Sequence, residues 1–262
     1  MFETRSLRGR LVLQIVTTLL VLPFVFPLIA MVEGSLAGTG WNNYVTVLSI
    51  PLLPEFFRNS AIIATGVIII VCACSMLAAF GFSKLHIRGR EIYFWTLLAA
   101  LTLPEVVLLT PLFATATSMG AYDTFWSVIL PLAALQIPFT VLLARNFMDG
   151  IPSELIEAAR VDGASTWRTF QDVVLPLTRP IAAAIVILTL ITSWNAYLLP
   201  LVFLQDPASQ TVTLVPQFFI GQFNNDQTKV LAAAVVTAIP EIVAYLCLQR
   251  LFERGLAAGA LK

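Results

Sequence analysis

Two carboxylates stand inside long apolar stretches of this chain, each directly after a proline: Glu105 after Pro104 and Glu241 after Pro240. A charged side chain at the centre of a membrane-spanning helix costs about 2.5–3.5 kcal/mol on insertion scales, so neither carboxylate can comfortably face lipid. Each must face protein or water. With Asn195 in another apolar stretch they offer acceptors and donors suited to the polar groups of a ligand, and Trp194 and Tyr197 add aromatic faces on which a ring can stack. The same residues have a plainer use. The acids can hydrogen-bond across helices to hold a broken backbone, and Trp and Tyr gather at membrane interfaces without any ligand. The sequence leaves both readings open, as it does for Gln136 and Asn146.

Catalysis by this chain is not expected. No nucleophile, acid–base pair or metal-ligand cluster emerges, and His86, between Lys84 and Arg88, reads as a solvated surface residue. Cys72, Cys74 and Cys247 all lie in apolar runs, and Cys72-Ala73-Cys74 lacks the two-residue gap of a zinc or redox motif. Nothing matches the phosphate-binding pattern G-x-x-x-x-G-K-[ST], so this chain is not expected to hydrolyse nucleotide itself. The reading is of a chain with no metal, no cofactor of its own and no catalytic residue.

The elements that must position these residues are helices in a bilayer. Hydrophobic residues make up 58% of the 262 and charged residues 11%, with a mean hydropathy of +0.88, whereas roughly a quarter of an ordinary soluble domain is charged. Six stretches are each long enough to span as a helix: residues 11–32, 60–82, 92–116, 124–147, 181–204 and 230–251. The first follows Arg5, Arg8 and Arg10 but is longer than the core of a cleaved signal, so it reads as an uncleaved anchor. The expectation is an all-α membrane protein of one domain, residues 1–262, with six transmembrane helices. Zero formal net charge and a pI near 6.6 speak against nucleic acid, whose binders carry a concentrated basic face.

Orientation follows from the basic residues. Arg5, Arg8, Arg10, Lys84, Arg88, Arg90, Arg145, Arg160, Arg168, Arg179, Arg250, Arg254 and Lys262 fall on one side of the six-span layout, and Arg58 and Lys229 on the other. That bias places both termini in the cytoplasm. Prolines recur within the stretches at 23, 27, 104, 111, 131, 138, 200 and 240, and each removes a backbone donor that neighbours or water must replace.

A polar block at residues 149–179 separates the fourth and fifth stretches. Pro152 and Ser153 suit a helix start, Leu155, Ile156 and Ala159 give it an apolar face, and Gly163 suits its end. Ser165 or Thr166 can cap a second helix carrying Trp167, Phe170, Val173 and Val174, with Pro176 as its stop. Pattern alone allows an interfacial hairpin that merely connects two spans.

Glu157-Ala158-Ala159, three residues, Gly163, nine residues and Val173-Val174-Leu175-Pro176 together resemble the cytoplasmic coupling loop of ATP-binding-cassette importer permeases. Trp194-Asn195-Ala196-Tyr197-Leu198-Leu199-Pro200-Leu201-Val202 and the ending Gly255 to Lys262 are similar to segments of carbohydrate-uptake permeases, in particular the smaller subunit of the maltose-type pair, although Ala196 stands where many relatives carry an acid. The resemblance implies a type I importer permease fold with cytoplasmic coupling helices. It implies that Glu157, Ala158, Ala159, Asp162 and Gly163 contact an ATPase subunit, and that Gly255, Gly259 and Lys262 belong to a tail making a second such contact. Asn195, Glu105, Glu241, Trp194 and Tyr197 are then the candidate solute path. The implied partners are a second permease subunit, two ATPase subunits holding ATP and Mg, an extracytoplasmic solute-binding protein and membrane lipid. The implied setting is a bacterial or archaeal cytoplasmic membrane and the implied cargo a sugar or oligosaccharide; a glycerol-phosphate or amino-sugar importer shares the coupling loop. An ion-coupled secondary transporter using Glu105 and Glu241 would leave that loop unexplained.

Overall fold

The computed structural model describes residues 7–221 and 225–260, with the backbone alone at residues 7, 8, 248 and 250–260. Among the described residues the regular structure is helical, with an isolated bridge between Ile220 and Asn225 and no strand. In hydrocarbon a backbone must satisfy its own polar groups within each segment, and a helix does so. The helices are α1 (Leu7–Ser35), α2 (Asn42–Leu48), α3 (Leu53–Lys84), α4 (Arg90–Ala99, extended by a 3-10 turn at Ala100–Thr102), α5 (Glu105–Ser118), α6 (Trp126–Asp149), α7 (Ser153–Val161), α8 (Thr166–Leu177), α9 (Arg179–Trp194), α10 (Leu198–Phe203) and α11 (Gln227–Ala260). Four of them, α1, α3, α6 and α11, are long and apolar enough to cross a membrane, or six crossings result if each of two bent pairs counts as one.

The chain divides into two compact units, one comprising the chain up to Pro51 with Val215–Ala238, the other Leu52–Leu214 with the chain from Ile239 onward. In the first, α1 exposes apolar side chains all round, among them Phe24 and Phe26. Gly34 lets α1 approach α11 closely, since a Cβ there would fall 2.6 Å from Leu231. Buried Asn43 fastens α2 to the chain before it by donating to the carbonyls of Ser35 and Ala37, each at 2.9 Å.

The second unit is built on α3 packed along α6. Ile63, Val67, Val71 and Ala79 of α3 bury against Val128, Leu132, Ala144 and Met148 of α6, and α9 adds Ile181, Ala184 and Ile185. Within this apolar contact Ser75 and Thr140 share a buried hydrogen bond of 2.6 Å.

Two apolar stretches are interrupted. Residues 92–116, expected as one crossing, are two helices whose axes meet at 103°. Leu103 is extended (φ −85°, ψ 116°) because the residue before a proline is pushed out of the helical region, and Pro104 itself has no amide proton to continue the ladder. In residues 181–204 the helix stops at Trp194 and restarts at Leu198. Pro200 cannot donate to the carbonyl of Ala196, four residues back, and the Thr213 hydroxyl donates to that carbonyl instead at 2.8 Å. The interruption is thus a satisfied one.

Candidate solute path and coupling segment

Helix α6 ends at Asp149, and Gly150, Ile151 and Pro152 turn the chain into α7. Ile151 and Ile156 are buried with Phe170 and Val174 of α8 in the same apolar cluster as Phe80 and Met148; the Phe80 and Phe170 rings lie 5.2 Å apart. Lys84, ending α3, donates from Nζ to the carbonyl of Ile151 at 2.7 Å. One side of the segment is therefore fixed to α3 and α6. The other side is free: Glu157, Ala158, Arg160, Asp162 and Gly163 are exposed, Val161 is 87% exposed, and Ala159 is half-buried. Leu155, expected on the packed face, is exposed.

The local chemistry accounts for the shape. Gly163 takes φ 80°, where a side chain is strained, and the chain reverses there with the Ala164 amide donating to the Ala159 carbonyl at 2.9 Å. Ser165 Oγ then accepts from the Arg168 amide at 3.3 Å and caps α8. Pro176 does not stop that helix. The register widens to π over Thr169–Val174, ahead of the proline, and the helix runs on to Leu177 before turning 75° into α9. The product is an amphipathic helix–turn–helix with a buried underside and an exposed mixed surface of carboxylates, arginines and aliphatic groups.

In the interrupted fifth stretch, Asn195 follows the last residue of α9. Its Nδ2 donates to Glu241 Oε1 of α11 at 2.7 Å and to the Ile191 carbonyl at 3.0 Å. Asn195 is exposed and Glu241 half-buried, so each keeps oxygen atoms for another partner. Three residues earlier on α9, exposed Thr192 donates to Gln136 Oε1 of α6 at 2.6 Å. Thr192 and Asn195 share a helix face at that spacing, which gives two neighbouring polar pairs within otherwise apolar sequence.

The other candidates fall elsewhere. Trp194 is 8% exposed with its ring 6.4 Å from that of Phe57, packed inside the bundle rather than open to a ring-shaped solute. Tyr197 is 40% exposed beside the interruption. Glu105 is the first residue of α5, just past the 103° bend, where free amides and the helix dipole favour a carboxylate. None of the described hydrogen bonds joins it to Asn195 or Glu241.

Comparison with known proteins places this architecture. The model of the family described as binding-protein-dependent transport system inner membrane component matches residues 70–258. The chain belongs to that family. The permease is 33% identical over 224 residues to a probable ABC transporter permease protein, YurM, of Bacillus subtilis, covering 86% of this chain and 72% of that one. It is 32% identical over 227 residues to the melibiose/raffinose/stachyose import permease protein MelC of Bacillus subtilis (86% and 82% covered). It is 36% identical over 220 residues to the sn-glycerol-3-phosphate transport system permease protein UgpE of Salmonella choleraesuis (83% and 77% covered). Its fold matches a chain of a bacterial ABC transporter involved in the import of the acidic polysaccharide alginate, with a TM-score of 0.78 at 22% identity over 96% of this chain and 99% of that one.

Sequence reasoning overlooked Thr192, because a threonine in an apolar helix ordinarily bonds back to its own backbone, as this one also does to the Leu188 carbonyl at 2.9 Å. Its spacing of three from Asn195 was the available signal. In the tail of the permease, the backbone at Gly255 and Gly259 continues α11 as helix to Ala260, while Lys262 lies outside the described residues. At the other end of α11, the Lys229 ammonium, 2.7 Å from Asp226, together with the Thr228 hydroxyl, holds the Asp226 carboxyl down to about 2. Asp226 also accepts from the Lys229 amide at 3.3 Å and so caps the helix.

Proposed function

We propose that this permease forms one wall of an ATP-driven importer for a neutral sugar or oligosaccharide, passing solute between its own polar face and that of a second permease subunit. Two ATPase subunits, holding ATP and Mg, dock on the exposed side of α7 through Glu157, Ala158, Ala159, Asp162 and Gly163, and the tail from Gly255 makes a further contact. A solute-binding protein delivers the cargo from outside a bacterial or archaeal cytoplasmic membrane in which both termini face the cytoplasm. The observation that carries the reading is the α7–α8 segment, bound to α3 and α6 by its apolar underside and leaving its charged surface for a partner. A lone connector would have no need of so polar an exposed face held so firmly.

The cargo is argued from the pairs Asn195–Glu241 and Thr192–Gln136, which present amides, a hydroxyl and a carboxylate. The lysines and arginines of the six apolar stretches are Arg145 and Arg250, near stretch ends. Such a wall suits hydroxyl groups and opposes a phosphate or uronate, which disfavours the glycerol-phosphate alternative. Nucleotide binding would close the ATPase pair and tip the cavity outward, and hydrolysis would return it inward.

The test is gentle purification of the tagged permease with its companions, followed by uptake of raffinose, maltose and sn-glycerol-3-phosphate by proteoliposomes. Co-purification of an ATPase and ATP-dependent uptake of a neutral saccharide are expected. Uptake driven by membrane potential without any ATPase would instead support a secondary transporter and reject the proposal.

A further inference from the structure

We infer that Arg145 is a positioning residue that ties the coupling segment to the α4–α5 bend, so that displacement of the segment reaches the middle of the third apolar stretch. The inference rests on the coupling role proposed for α7 and extends it to a route through the bundle.

Arg145 lies one turn before the end of α6. Its Nη2 donates to Glu91 Oε1, in the first turn of α4, at 2.6 Å, and its Nε lies 3.8 Å from Asp149 Oδ2, the last residue of α6. Its Cζ stands 4.0 Å from the centroid of the Phe94 ring, also in α4. Phe94 is buried and meets the Phe82 ring of α3 edge-on at 5.6 Å. Asp149 accepts in turn from Ser83 Oγ at 2.6 Å, while Lys84 holds the Ile151 carbonyl. One guanidinium thus engages the root of the coupling segment and the first turn of α4, on a side chain only 12% exposed.

The choice of residue argues for direction rather than mere adhesion. An ion pair whose carboxylates are as exposed as Glu91 and Asp149, 51% and 41%, adds little net stability, and Arg145 leaves Nη1 buried without a hydrogen-bond partner, a burden of about 1–3 kcal/mol or more. What an arginine supplies that a leucine cannot is a planar fork with fixed angles to two carboxylates and a ring. Helix α4 is short and stiff and leads straight into the bend at Leu103–Pro104. Rotation of its first turn by Arg145 is therefore transmitted to the angle between α4 and α5, where Pro104 leaves the backbone free to flex.

Spin labels at the exposed positions Ile92 of α4 and Val107 of α5, with Cys72, Cys74 and Cys247 replaced by Ala, report that angle in the assembled complex without any solute. Trapping the complex with ATP and vanadate is expected to shift the 92–107 distance in the parent protein. Arg145→Met, which keeps the packing volume, and Glu91→Gln should each remove most of that shift while the ATPase subunits still co-purify. An unchanged shift in both variants, or no shift in the parent complex, would overturn the inference. If no ATPase co-purifies with the parent protein, it is the coupling role of α7 that fails.

Discussion

At the scale of single residues, the Asn195–Glu241 pair carries the sharpest expectation. A hydrogen bond to a charged group contributes about 1.5–3 kcal/mol, so losing one shared with the solute lowers transport by ~10-fold or more. Asn195→Ala and Glu241→Gln are expected to reduce neutral-saccharide uptake by at least that factor, with the permease still inserted and assembled. Uptake within twofold of the parent in both variants would remove the pair from the solute path. Trp194→Phe, by contrast, should leave solute specificity unchanged, because that ring packs against Phe57. Asp226 offers a pH test outside the membrane. Its folded value, about 2, lies below the ordinary 3.8, so its contribution to stability is fully present above about 4 and is lost as pH falls through about 2. The Tm difference between the parent and Asp226→Asn should therefore shrink across that window, and a difference constant from pH 5 to pH 2 would contradict the cap.

At the scale of elements, the segment between α6 and α9 has one side held in the apolar cluster and the other exposed, as the proposed docking requires. Gly163→Pro places a ring where the backbone has φ 80° and where the Gly163 amide donates to the Arg160 carbonyl at 3.0 Å, so it should destroy the reversal at a cost of ~3 kcal/mol or more. Glu157→Lys leaves the fold untouched and reverses one exposed charge. Both are expected to abolish transport while the protein reaches the membrane, and normal uptake in either would count against α7 as the docking element. Thr213→Val tests the interruption before α10. It strands the Ala196 carbonyl that Pro200 cannot serve, which should destabilise the protein by about 1–3 kcal/mol, read as a lowered Tm in detergent.

At the scale of the whole molecule, the proposed role asks a chain without a phosphate loop to join an ATP-driven engine through geometry alone. In the importer proposed above, the exposed face of α7 would receive the push and the α3–α6 contact would carry it toward the two interruptions, at Pro104 and at Asn195. Vesicles containing the full complex should accumulate saccharide only with internal or external ATP on the ATPase side, and collapse of the ion gradients should leave initial rates unchanged. Rates that follow the gradients and ignore ATP would refute the ATP-driven reading.

Much of this was legible in the amino acids. Hydrocarbon demands about 20 consecutive apolar residues per crossing, so the six stretches and the polar block between the fourth and fifth follow from composition read along the chain. Gly163 marked its own turn because few other residues tolerate that backbone. The interruptions were not legible in the same way. Eight prolines lie in the stretches, yet Pro131 and Pro138 sit inside an unbroken α6 while Pro104 ends a helix. Whether a missing amide breaks a helix depends on which neighbour stands ready to serve the freed carbonyl. The partnerships of Asn195 with Glu241, Thr192 with Gln136 and Arg145 with Glu91 likewise join residues 46, 56 and 54 positions apart. The length of each apolar run determines which segments enter the membrane; only the packing of those segments decides which of their few polar groups meet.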